Sequence, residues 1–68
     1  MQQRKIDEQM LLRVRGEYTE MPGLRLTVRD ASRMWHMSSD ACEAVLSALV
    51  EQRSLVRTRD GAFVRTAR

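Results

Sequence analysis

Sixty-eight residues carry twelve basic and nine acidic side chains, a net charge of +3 and a pI near 10.0, a balance that points to an anionic partner. A chain this short supports one small core and a single domain over residues 1–68, marginal enough that a homodimer or a partner protein would help it. Cys42 stands alone, which excludes an internal disulfide and a cysteine-based zinc cluster, and the absence of a long apolar run or a charged-then-apolar leader predicts a cytoplasmic protein with no membrane partner.

From about Arg4 to Glu20, Ile6, Met10, Leu11, Val14 and Tyr18 recur at three- and four-residue steps and predict a helix with one apolar face. Pro22-Gly23 stops it, since proline lacks a donor and disfavours helix at the residue before it. Leu24-Arg25-Leu26 alternates and is read as a short first strand.

Thr27 opens the second helix, with Asp30 three residues on as its capping-box partner. Val28, Ala31, Met34 and Trp35 form its inward face, leaving Arg29, Ser32, Arg33 and His36 more exposed. Ser38 is the N-cap of the third helix, and Ser39 and Asp40 occupy its first turn, where the helix dipole favours a carboxylate. Ala41, Cys42, Val45, Leu46, Leu49 and Val50 make a continuous apolar stripe, so Asp40, Glu43, Ser47 and Glu51 face away.

The junction between these helices carries the spacing of a helix-turn-helix. Ser32 supplies a small residue on the first helix, His36 stands in the turn where positive φ is wanted, and Cys42 and Val45 are the apolar anchors on the second. Gln52-Arg53-Ser54 is a polar break. Leu55-Val56-Arg57-Thr58 and Ala62 to Thr66 then read as strands around an Arg59-Asp60-Gly61 turn, with Leu55 and Phe63 pointing inward. Two helices alone would also suit a plain three-helix bundle; the hairpin decides for a mainly α fold with a small β-sheet, a three-helix winged helix-turn-helix with a C-terminal β-hairpin wing.

Over residues 24 to 66 the chain resembles the winged-helix superfamily of bacterial transcription regulators. Glu20-Met21-Pro22-Gly23-Leu24, Leu26-Thr27, Trp35, Cys42, Leu49-Val50 and Arg57-Thr58 with Asp60-Gly61 are similar to a group of very short bacterial single winged helices. Positions 36 and 53 hold His and Arg where such proteins commonly have glycine, which marks both as points of backbone strain. The resemblance implies double-stranded DNA as partner, with the third helix in or near the major groove and the wing on the backbone.

Charge complicates that expectation. Residues 38–52 hold Asp40, Glu43 and Glu51 and no base, whereas residues 53–68 hold five arginines against Asp60. Phosphate neutralisation must then come from Arg25, Arg29 and Arg33, from Arg57, Arg59 and Arg65 on the wing, and from Arg4 and Lys5. The expected DNA-facing set is Thr27, Arg29, Arg33, Ser38, Ser39, Glu43, Arg57, Arg59 and Arg65, with serine able to bond phosphate or base edges and Glu43 able to accept from cytosine N4. A different class of function uses the same acidic helix face to bind a basic protein surface with no DNA contact.

Trp35, at helical spacing beside Val28 and Ala31, reads as core. Cys42 reads as a small buried hydrophobe, although a thiol near a helix N-terminus can be acidified into a redox switch. His36 is the only histidine, no ligand set accompanies it, and no catalytic constellation or phosphate-cradling glycine loop is present, so neither an enzyme, a metal site nor a cofactor is expected.

Overall fold

A computed structural model describes residues 8–66. Arg4, Lys5, Ile6, the expected start of the first helix, and Arg68 lie outside the described residues. Helix α1 runs Glu8–Glu20, strand β1 Arg25–Thr27, helix α2 Val28–Trp35, helix α3 Ser39–Glu51, strand β2 Leu55–Arg57 and strand β3 Ala62–Arg65. The three strands form one antiparallel sheet in the order β1-β3-β2, with Leu26 opposite Phe63 and Phe63 opposite Arg57. This is a mainly α chain with a small sheet, in the layout of a winged helix whose wing is the β2–β3 hairpin. The first strand lies one residue later than the alternation of Leu24 to Leu26 suggests, because Thr27 both ends it and caps α2.

Local chemistry explains the helix boundaries. Thr27 Oγ1 accepts from the Asp30 amide at 3.1 Å while the Thr27 amide donates to Asp30 Oδ2 at 3.3 Å, a complete capping box. Ser38 Oγ accepts from the Ala41 amide at 3.1 Å and starts α3. Between them His36 sits in the left-handed region, with φ 53 and ψ 46. Ser32 clamps that turn twice: its carbonyl accepts from the Met37 amide at 3.2 Å, and its hydroxyl donates to the Met37 carbonyl at 2.7 Å. The position therefore calls for a hydroxyl as well as small size.

The core draws on every element. Val14 and Tyr18 of α1, Leu26 of β1, Ala31 and Trp35 of α2, Cys42, Val45, Leu46 and Leu49 of α3, Leu55 and Phe63 are all buried in one cluster. Met10, Leu11, Leu24 and Val28 pack against its edge. Met34 differs from the expected inward face: it is 42% exposed, because an eight-residue helix turns Ala31 and Trp35, four apart, toward α3 and carries Met34 to the side. Cys42 is 1% exposed, and burial pushes its thiol up from the ordinary value rather than acidifying it, which removes the basis for a thiolate switch.

One buried hydrogen bond joins helix to sheet: the Tyr18 hydroxyl donates to the Phe63 carbonyl at 3.0 Å. Burial pushes the Tyr18 pKa from 10.0 up to about 12. The folded chain thus holds this proton more tightly than the unfolded chain, so the stabilisation is complete below pH 10 and is lost as pH rises through about 12. Melting curves across that range should show an alkaline loss of about 3 kcal/mol that is absent in Tyr18→Phe, which itself costs about 1 kcal/mol at neutral pH. His36→Gly should raise stability by about 1 kcal/mol in a denaturant titration, since glycine adopts the left-handed conformation without strain.

Candidate nucleic-acid interface

The N-terminal end of α3, the exposed side of α2 and the turn of the hairpin carry most of the residues expected to contact DNA. Ser38 and Ser39 are both exposed there. Ser38 Oγ is occupied as the cap acceptor but retains its proton for donation, whereas the Ser39 hydroxyl has no partner among the described residues. Helix N-termini present free amides and a positive dipole end, so these hydroxyls stand where an anion is favoured. Thr27 is half-buried and its hydroxyl oxygen is engaged in the capping box, which makes it a structural residue first.

The arginines divide into two kinds. Arg29 and Arg33, one turn apart on α2, and Arg59 in the hairpin turn are exposed and have no ion-pair partner among the described residues. Arg25 and Arg57 are held internally. Arg25 of β1 pairs with Asp60, whose carboxylate also accepts from the Thr58 hydroxyl. That hydroxyl bond, with a backbone bond and the Arg25 guanidinium, holds the Asp60 carboxyl below its ordinary range. Thr58 Oγ1 also accepts from the Ala62 amide at 3.0 Å, so the turn is fastened from inside and from β1.

Arg57 connects the wing to α3. Its Nη2 lies 3.8 Å from Glu43 Oε2, and its guanidinium carbon stands 4.9 Å from the centroid of the Phe63 ring. Glu43, Ser47 and Glu51 recur every four residues on one side of α3, and Arg57 lines a cleft of about 220 Å³ with Ser47 and Glu51. The acidic stripe therefore runs beside the wing strand and faces a cation. Periodicity alone puts these carboxylates on an outward face, and the partner of Glu43 comes from a strand distant in sequence.

Arg65 lies at the other end of the hairpin from Arg59. Opposite Leu55 at the open end of the hairpin, it lines a cleft of about 290 Å³ with Arg15 of α1 and Arg53 just past α3. Thirteen residues of α3 separate that end from Ser38, about 20 Å along the helix. Neither Arg15 nor Arg53 was legible as a candidate, because what groups them with Arg65 is packing between α1 and the sheet.

Among the described residues no group of three His, Cys, Asp or Glu side chains is placed to hold a metal ion, and no helix is long and apolar enough to cross a membrane. Comparison with known proteins finds no matching family model, no matching curated protein and no matching solved structure.

Both partners of the Arg57–Glu43 pair are half-exposed, so their coupling in a double-mutant cycle with alanine should be about 0.5 kcal/mol and should vanish in high salt. Arg57→Ala should remain destabilising by about 0.5 to 1 kcal/mol in the Glu43→Ala background, because contact with the Phe63 ring is lost as well.

Proposed function

We propose that this chain is a duplex-DNA-binding module, a small cytoplasmic regulator of the winged-helix type that sets the N-terminal turn of α3 at the major groove and the hairpin turn on the backbone. The observation that carries this reading is that three exposed arginines, Arg29, Arg33 and Arg59, have no ion partner among the described residues, while Ser38 and Ser39 expose hydroxyls at the N-terminus of α3. Some of the nearby acids are matched, Asp60 by Arg25 and Glu43 by Arg57, with Asp30 accepting the Thr27 amide, whereas Asp40 and Glu51 of α3 have no ion-pair partner among the described residues. Pairing with Arg57 offsets one of the three carboxylates that α3 would bring toward a polyanion.

The alternative, in which the acidic face of α3 binds a basic protein surface, would compete with Arg57 for Glu43 alone. Sequence readout by this set is modest. Serine hydroxyls bond phosphates and base edges alike, and no arginine lies within α3 to read guanine. The expected behaviour is salt-sensitive binding with weak sequence preference.

Three phosphate contacts predict a slope of about −3 in a plot of log affinity against log salt. Fluorescence anisotropy with a mixed-sequence duplex at several salt concentrations should give that slope, and Arg59→Ala should weaken every duplex alike and flatten the slope by about 1. Glu43→Gln should tighten non-specific binding, because it releases Arg57 and removes one negative charge. A wild-type chain with no salt-dependent association at micromolar concentration would sink the DNA reading.

A further inference from the structure

The cleft between α1, the end of α3 and the open end of the hairpin collects positive charge at the far end of α3 from Ser38. Arg15, Arg53 and Arg65 line it together with Thr19, Ser54 and Thr66. None of the three arginines has an ion-pair partner among the described residues, and no described acidic side chain lines the cleft. Like charges gathered on one concavity repel one another, an arrangement that an anion relieves.

A second observation singles out Arg53. Its φ is 66, in the left-handed region, at the position after a helix end where glycine is the residue of least strain. The backbone is pinned there from several sides. The Arg53 amide donates to the Val50 carbonyl and the Ser54 amide to the Leu49 carbonyl, both at 2.9 Å. From β3's end, the Thr66 hydroxyl donates to the Arg53 carbonyl at 2.9 Å and the Thr66 amide to the Ser54 carbonyl at 3.0 Å. A helix C-terminus attracts any cation nearby, but that attraction does not require the base to sit on a left-handed residue. Strain held by this many bonds fixes the point from which one guanidinium projects, as at ligand sites.

We infer that this cleft binds a small phosphorylated anion, a phosphate monoester or diphosphate, at a site separate from the DNA-facing surface. Guanidinium groups offer paired N–H donors that match phosphoryl oxygens, and the Ser54 hydroxyl, without a partner among the described residues, adds a neutral donor. The volume of about 290 Å³ is close to the lower bound for small-molecule sites. A duplex presents single charges spaced along a convex rod, whereas a concavity of this size encloses one or two phosphoryl groups with their higher charge density. The cleft also lies about 20 Å along α3 from Ser38, so binding there and duplex binding at Ser38 and Ser39 are read out at different residues.

The test is a nitrogen-15 NMR titration of the full chain with sodium pyrophosphate, run against sodium chloride at equal ionic strength, and repeated with a short duplex. Pyrophosphate should produce saturable shifts at the Arg53, Ser54 and Thr66 amides and at the side-chain Nε of Arg15 and Arg65. Arg53→Gly should weaken this binding about tenfold, the loss of one charge-assisted contact, while its melting temperature stays equal or rises. Arg65→Gln should weaken it similarly, which covers the case in which one variant alters the fold. Shifts that chloride reproduces, or unchanged affinity in Arg53→Gly, would overturn the inference. So would displacement of pyrophosphate from the cleft by the duplex, which would assign these arginines to the nucleic-acid backbone. Failure of the DNA reading is seen separately, as absence of duplex-induced shifts at Ser39 and Arg59.

Discussion

Tyr18 and Phe63 hold the molecule together at the point where helix meets sheet. Strand β3 is the only described strand paired on both sides, with β1 along one edge and β2 along the other. Phe63, in its middle, faces the core at 1% exposure, and its carbonyl receives the Tyr18 hydroxyl. That bond fixes α1 against the central strand, and the central strand then positions both edges. The hydroxyl has little choice of partner: burying the ring at 2% exposure would strand an unpaired donor unless an acceptor lay within reach.

From that anchor the wing acquires its orientation. Leu26, Phe63 and Arg57 form a row across the three strands, so the burial of Leu26 and Phe63 places Arg57 on the same side of the sheet, beside α3. The guanidinium then lies over the Phe63 ring and reaches Glu43, while Arg25 on the outer edge reaches Asp60 at the turn. Each exposed ion pair is weak alone. Together with the Thr58 bonds inside the turn they brace a hairpin of only three- and four-residue strands, a length that is marginal without support.

The two ends of α3 have different surroundings in consequence. At its N-terminus Ser38 and Ser39 are exposed, as are the arginines of α2 and of the hairpin turn that have no ion partner among the described residues. Past its C-terminus the backbone turns through a left-handed Arg53 and meets α1 and the last residue of β3. His36 at the other helix junction shares the left-handed conformation, but there the Ser32 clamp explains it.

The sequence by itself determined the elements and most of the core. Caps such as Thr27 with Asp30 and Ser38 with Ala41 act across three residues, apolar periodicity acts across one helical turn, and the Asp60-Gly61 turn acts across four residues, so all are legible locally. Positive φ at His36 and Arg53 was legible too, as strain at positions suited to glycine. What only the tertiary structure decided is which charges meet. Glu43 and Arg57, Arg25 and Asp60, and Arg65 with Arg15 and Arg53 are separated by many residues, and their grouping follows from strand order and register. The exposure of Met34 is of the same kind, set by how much of α2 the rest of the fold covers. Helix caps and turns are closed by the covalent chain, whereas long-range charge pairs exist only after the core has fixed the distances between strands and helices.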